Sequence, residues 1–363
     1  MKNFIYTAFC IFLITNVNAI EVILHTQQDV DYYGQAGYSW FPGSVKIESY
    51  AGQDSSTMIT DLSPLLVFDS IPGSLTIENT ILTSLHGLEN LKVGYVIEVH
   101  ENAELVDASA LSLTGKFTGL KFQNNPKLEI LPSTANFIEL NGGVEIVNNS
   151  ALKEVLLELN ATTSWVRIGA NRSLETVSIT DYSSVKMKTA IYSNEQLKNI
   201  FIYTEEDTCL IHKIFDNPNL EIIEGFGKVH TIGIAELYNN PKLNELCHLQ
   251  NVLQRDGIDL LFLDSNGNYA NSEADILATD CSDFNTSVTE VFNADLSIYP
   301  NPAQNEVFVQ GIQEPTLYEI YDMSGKQITQ GSVKTTGSID LTAVKAGMYI
   351  LKVGNQHHKL LVE

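Results

Sequence analysis

Three successive stretches decide the fold: Thr189-Ala190-Ile191-Tyr192-Ser193-Asn194-Glu195-Gln196-Leu197-Lys198-Asn199-Ile200, His212-Lys213-Ile214-Phe215-Asp216-Asn217-Pro218-Asn219-Leu220-Glu221-Ile222-Ile223, and Ala235-Glu236-Leu237-Tyr238-Asn239-Asn240-Pro241-Lys242-Leu243-Asn244-Glu245-Leu246. In each, an Asn is followed three residues later by Leu and six residues later by a second apolar residue. Working outward, the Asn/Leu pair recurs as Asn79/Leu82, Asn102/Leu105, Asn125/Leu128, Asn149/Leu152, Asn171/Leu174, Asn194/Leu197, Asn217/Leu220 and Asn240/Leu243. The Asn spacings are 23, 23, 24, 22, 23, 23 and 23, and a degenerate ninth copy sets Asn266 before Tyr269 after a gap of 26. A fixed period of this length marks a repeat architecture.

Apolar residues alternate upstream of each Asn, as in Ile97/Val99, Leu120/Phe122, Val144/Ile146, Val166/Ile168 and Ala235/Leu237. Such alternation is a half-buried strand. Two copies are weaker, Thr189/Ile191 and His212/Ile214, and Leu75/Ile77 sits one residue closer to Asn79. A unit this small cannot bury its apolar face alone, whereas stacked neighbours can, so a mainly β solenoid is expected. The Asn side chain has a role at each corner, because it can bond to backbone groups that a tight turn leaves unpaired. Nine or ten rungs at about 4.8 Å give a rod of roughly 45 Å.

Both ends carry cap signals. Thr26-Gln27-Gln28-Asp29 resembles a helix capping box, with a first strand expected around Val45 and Ile47. Cys247 follows the last full repeat, and bridging it to Cys281 would close a loop of about 35 residues, worth roughly 3–4 kcal/mol. Cys209 is then the odd thiol, a small buried hydrophobe. Before all this, Lys2, the apolar run Phe4 to Val17 and Val17-Asn18-Ala19 read as a secretory signal peptide over residues 1–19. It is too short for a membrane anchor, and no other stretch is long and apolar enough to span. The chain has 363 residues and a formal charge of −23, with 36 acidic and 15 basic residues over 20–284. So few cations exclude nucleic acid as a partner. A strongly acidic exported chain also resists self-association, so a monomer is expected.

After Cys281 the period stops. A polar linker over 283–294 precedes short strands with turn signals, which suggest a small β-sandwich over 295–363.

The Leu-x-Leu-x-x-Asn kernel is that of the leucine-rich repeat, with Asn-x-x-Leu in place of Asn-x-Leu. Gly73-Ser74-Leu75-Thr76-Ile77-Glu78-Asn79 and Ser84-Leu85-His86-Gly87-Leu88-Glu89-Asn90-Leu91 resemble the receptor L-domain type. That resemblance spans about residues 22–282. It implies a right-handed β-solenoid of about ten rungs that presents a sheet face to ligands, and the Cys247…Cys281 closure resembles the caps of exported bacterial members. The tail resembles a sharper pattern. Tyr299-Pro300-Asn301-Pro302, Tyr321-Asp322-Met323-Ser324-Gly325-Lys326, Ile339-Asp340-Leu341, Gly347-Met348-Tyr349 and Lys359-Leu360 stand in the order of the type A C-terminal sorting domain of the type IX secretion system of Bacteroidetes. The resemblance implies an Ig-like sandwich, engagement of the type IX machinery, and a secreted or outer-surface protein.

No catalytic motif accompanies these repeats: Gly-x-Ser-x-Gly, His-Glu-x-x-His, the phosphate loop and the dinucleotide fingerprint are all missing. No catalytic residue, cofactor or metal is expected. Asp264-Ser265-Asn266-Gly267-Asn268 loosely resembles a calcium loop, but Tyr269 stands where Gly is needed and Asp275 replaces the bidentate Glu. The informative positions are the outward ones. Four residues before each Asn runs a charge ladder, Glu98, Lys121, Glu145, Arg167, Ala190, Lys213 and Glu236. Two before, the column reads His100, Gln123, Val147, Gly169, Tyr192, Phe215 and Tyr238. Tyr192, Phe215 and Tyr238 form an aromatic stripe, with Trp165 near it and Lys213 and Arg167 beside it; aromatic faces suit sugar rings or peptides. The expected function is a non-enzymatic surface or secreted binding protein for a glycan or protein ligand. The alternatives are a β-solenoid polysaccharide-degrading enzyme and a structural surface-layer component.

Overall fold

Every second residue of the repeated strands is apolar, so each strand has one face that only a neighbouring turn can cover. In the computed structural model this yields one eleven-stranded parallel sheet. Its strands, in spatial and chain order, are Glu21–Leu24, Ser44–Glu48, Leu75–Glu78, Val96–His100, Lys116–Gln123, Glu139–Val147, Trp165–Gly169, Lys188–Tyr192, Thr208–Phe215, Thr231–Tyr238 and Ile258–Asp264. The structure describes residues 20–50, 52–111, 113, 116–134, 139–159, 165–182, 186–281, 297–299, 303–310, 316–322, 326–333, 338–345, 347–353 and 356–362. The expected signal peptide, the expected linker and Pro300, Asn301, Pro302 and Gly325 lie outside these residues. The chain divides into two compact units, Met1–Asp280 and Cys281–Glu363.

Unit 1 is a β-solenoid of about ten turns. A second parallel sheet of Glu154–Leu159, Thr176–Asp181, Asn199–Thr204 and Ile222–Gly225 lines the return side of its later turns. The apolar residues of both sheets meet in one core, with Leu120, Phe122, Val144, Ile146, Val155, Val166 and Ile168 all buried. The first strand, Glu21–Leu24, precedes the capping-box helix instead of following it. It pairs with Ser44–Glu48 and tucks Val22 and Leu24 into the core. Helix α1 (Gln27–Gln35) then starts at Thr26, whose hydroxyl accepts from Asp29 N while Asp29 Oδ2 accepts from Thr26 N. At the far end, helices α2 (Cys247–Leu253) and α3 (Glu273–Ala278) close the core. Gln250 Nε2 ties them by donating to the carbonyls of Ile276 and Thr279. Cys247 and Cys281 are disulfide-bonded, and Cys209 is free and buried.

A buried ladder of Asn side chains runs along the corners. Asn125 Oδ1 accepts from Asn102 N at 3.1 Å, and Asn125 Nδ2 donates to Val99 O at 3.0 Å. The same pair of bonds repeats at Asn149, Asn171, Asn194, Asn217, Asn240 and, on the degenerate copy, Asn266. Each Asn thus satisfies a corner of the preceding turn that the strand ladder cannot reach. The residue before it lies in the left-handed region on every turn, from Glu101 (φ 58°) through Ala170 (φ 54°) to Ser265 (φ 53°).

Asn79 is not in this column. It takes the left-handed position (φ 54°), exposed, and the buried Thr80 occupies the ladder site, giving its N–H and hydroxyl to Asn102 Oδ1. The one-residue shortening of the Leu75/Ile77 segment is the cause: it moves the corner, and the ladder position falls one residue past the Asn.

Unit 2 consists of two antiparallel sheets. One holds Ser297–Tyr299, Glu306–Gln310 and Ser338–Asp340, the other Gln327–Val333, Thr316–Asp322, Gly347–Val353 and Gln356–Val362. Val307, Ile320, Ile339, Leu351 and Leu360 form its buried centre. Tyr349, from the expected sorting motif, is buried and donates its hydroxyl to Lys345 O at 2.8 Å. Tyr299 and Asp322 end strands, Gly347 begins one, and Lys359 lies within Gln356–Val362.

Candidate functional site

On a parallel sheet in register, residues of one column sit a strand spacing apart, so like side chains stack. Tyr192 pairs with Phe215 and Phe215 with Tyr238. Their rings accordingly lie face to face: Tyr192 and Phe215 at 5.2 Å and 9°, Phe215 and Tyr238 at 4.9 Å and 10°. The Arg167 guanidinium covers Tyr192 at 5.3 Å, and Phe262 sets its edge against Tyr238 at 5.7 Å and 77°. Five residues from consecutive rungs therefore form one continuous stack. Each such ring pair adds about 0.5–1.5 kcal/mol beyond its buried area.

This geometry changes what the stripe offers. Both faces of Phe215 are covered by its neighbours, and Tyr192 and Tyr238 each have Phe215 on one side and Arg167 or Phe262 on the other. The outward surface consists of ring rims and two phenol groups, not ring faces. Burial, then the charges of Asp216 and Glu236, push the Tyr238 phenol above its usual range, so it stays a hydrogen-bond donor.

Two glycines shape the seat. A Cβ at Gly169 would fall 2.4 Å from the Tyr192 ring, and one at Gly143 would fall 2.0 Å from Trp165. Tyr192 thus lies over the gap in its own column, and Trp165 folds back over the preceding rung. Among the described residues Trp165 has no ring contact with the stripe, so it stands apart from the site in which sequence reasoning placed it.

The flanking cations are engaged. Lys213 Nζ lies 2.9 Å from Glu236, and Arg167 Nη1 lies 3.1 Å from Glu145. They belong to a ladder of cross-rung ion pairs that also includes Lys121–Glu98 and, at the first rungs, Lys46–Glu78, where Lys46 also meets Glu48 of its own strand. His100 adds a contact to Glu78 at 2.9 Å. Exposed pairs of this kind contribute about 0–1 kcal/mol each.

Sequence reasoning missed the closing strand's share of this face. Phe262 and Leu260 are half-exposed, at 50% and 55%, and extend the apolar surface beyond Tyr238. Counting four and six residues back from the degenerate Asn266 would have found both.

A second feature explains the two weak repeats. Thr189 and His212 point inward, and Thr189 Oγ1 meets His212 Nδ1 at 3.2 Å. His212 Nε2 faces His248 Nε2 of α2 at 3.3 Å, with Phe226 packed against both rings. Burial holds His212 down at about 3, and burial plus His212 holds His248 well below the usual imidazole range, so both are neutral. Among the described residues no group of three His, Cys, Asp or Glu could hold a metal ion. Asn266 of the loosely calcium-like loop belongs to the corner ladder: its Oδ1 accepts from Asn240, and its amide donates to Leu237 O and Ala270 O.

Residues 297–363 match the family described as secretion system C-terminal sorting domain. The chain carries a type IX sorting tail. That tail marks an exported, surface-targeted protein and implies interaction with the secretion machinery. No solved structure matches the chain. Among the described residues no helix is long and apolar enough to cross a membrane.

Proposed function

We propose that unit 1 is the binding module of this exported protein and that it acts by recognition, not turnover. Its ligand docks on the outer sheet face along Tyr192, Phe215, Tyr238 and Phe262. The observation that supports this reading is the change of surface along the sheet. Cross-rung ion pairs run along the outer face from Lys46 to Lys213–Glu236, and the last four rungs add beside them a stack of rings continued by Leu260. Apolar stripes left outside a charged solenoid are what a binding face requires.

The stack favours a protein ligand over a glycan. A sugar ring binds by lying on an aromatic face, and here the faces are spent on one another. Rims, two phenol hydroxyls and exposed leucine suit a protein surface, as aromatic-rich interfaces do. The test is an array of extracellular proteins and glycans probed with the mature chain and with Tyr192→Ala/Phe215→Ala/Tyr238→Ala. A protein hit lost in the triple variant, with the circular dichroism unchanged, supports the reading. A hit that survives the triple variant removes the stripe from the function.

A further inference from the structure

The sheet ends on a strand that nothing else in the described chain pairs with. Ile258–Asp264 hydrogen-bonds to Thr231–Tyr238 on one side and is last in the sheet order. Asp264 O accepts from Asn239 N, so the backbone groups of Asp264, Phe262 and Leu260 turn back toward the sheet. In a parallel ladder alternate residues turn the other way, which points the N–H and C=O of Leu261 and Leu263 outward. Gly257 O accepts from Ile232 N, so the alternation breaks before Asp259, whose backbone is not part of the open edge. Edge strands are ordinarily blunted by shortness, Lys, Pro or a bulge. This one is seven residues long and contains no Lys, Pro or Gly. Leu261 and Leu263 pack partly buried against the core, and Leu260 and Phe262 are exposed. An added strand would therefore cover the core end with one set of side chains and extend the aromatic face with the other.

Charge says what kind of strand fits. Along the solenoid, carboxylates of one rung are met by a cation 22 or 23 residues later: Glu98 by Lys121, Glu104 by Lys127, Glu145 by Arg167, Glu175 by Lys198 and Glu205 by Lys228. Residues 256–280 hold six acidic side chains and no Lys, Arg or His. Among the described residues Asp256, Asp259, Asp264, Glu273 and Asp275 have no ion pair, because no further rung follows to supply one. The chain's own residues 282–296 contain three acidic residues and no basic one, so they do not complement this end. A second copy offering Glu21–Leu24 would bring Glu21, Asp29 and Asp31, acid against acid.

We propose that the closing strand is a docking edge for an extended, basic segment of a partner protein, which adds a twelfth strand to the sheet by β-augmentation. Main-chain bonds to Leu261 and Leu263 hold it, and its cations meet the exposed carboxylates of Asp259 and Asp264.

The probe is a fluorescent peptide alternating lysine and valine, titrated into the mature full chain and followed by anisotropy and amide exchange. Expected are binding at least tenfold tighter than for the glutamate–valine peptide, and at least tenfold slower exchange at Leu261 and Leu263. Methylating the peptide's bonding nitrogens, which keeps its charge, should abolish both effects. Asp259→Lys with Asp264→Lys, both exposed positions, should weaken binding at least tenfold. The triple aromatic variant should bind within about twofold of the parent, so this proposal and the proposed face fail separately. Binding indifferent to N-methylation would reduce the effect to charge attraction and overturn the proposal. Concentration-dependent dimers that protect the same two amides without peptide would overturn it in favour of a second copy.

Discussion

Asn171→Ala removes one member from the middle of the corner ladder, and the structure sets the cost. The side chain accepts from Asn149 N at 2.9 Å and from Asn149 Nδ2 at 3.3 Å, and donates to Ile146 O at 2.9 Å and to Asn194 Oδ1 at 3.4 Å. Without it the buried N–H of Asn149 has no acceptor, which costs about 1–3 kcal/mol, and the other three bonds, two of them long, together add about 2 kcal/mol. The expected loss is about 3–5 kcal/mol. Asn79→Ala is the matched control: it has the same place in the sequence period but lies exposed at φ 54°. Its cost is limited to the left-handed preference of Asn over Ala, about 1 kcal/mol or less. Urea unfolding of the chain followed by far-ultraviolet circular dichroism measures both, and amide exchange at Asn149 localises the first. Equal losses for the two variants, or a loss under 1 kcal/mol for Asn171→Ala, would refute the ladder as the element holding the corners.

Acid should weaken the C-terminal end of the solenoid through His212 and His248. Both folded-state values lie below the unfolded one near 6.5, so stability present above that pH falls as pH drops below it, for His212 until about 3 and for His248 in the same direction. The decline is about 1.4 kcal/mol per pH unit for each histidine. The pH dependence of the melting temperature should flatten in His212→Leu/His248→Leu, and an unchanged slope would contradict the burial. Reducing the Cys247–Cys281 bond should cost about 3–4 kcal/mol in the same urea assay. Native Cys209, buried and pushed up to about 12, should resist iodoacetamide until the chain unfolds, and rapid alkylation of the folded protein would count against its placement. Ala170 holds the left-handed corner position without a side chain suited to it, so Ala170→Asn should stabilise by about 0.5–1 kcal/mol and raise the urea midpoint.

The period, the strand alternation, the capping box at Thr26 and the sorting-tail motif order were all legible in the sequence. Each is a local pattern: one face of a strand, one corner, one helix start. What could not be read was anything that depends on where one rung falls on the next. Asn79 matches the 23-residue count, yet a corner shifted by one residue hands its site to Thr80. The strand Glu21–Leu24 is too short to announce itself, and only pairing with Ser44–Glu48 makes it a strand. Thr189 and His212 weaken the repeat until His248, 36 residues on, supplies the partner that lets a histidine sit in the core.

The candidate face divides along the same line. That Tyr192, Phe215 and Tyr238 share an outward column follows from spacing alone, because a 23-residue turn in register repeats every position on the next strand. That their faces are consumed by stacking, that Trp165 folds away over Gly143, and that Phe262 reaches across from the neighbouring column to close the end of the stack were decided only by the tertiary structure. Periodicity sets which side chains are neighbours. Ring orientation and the open edge at Ile258–Asp264 arise from packing and from where the stacking of rungs stops.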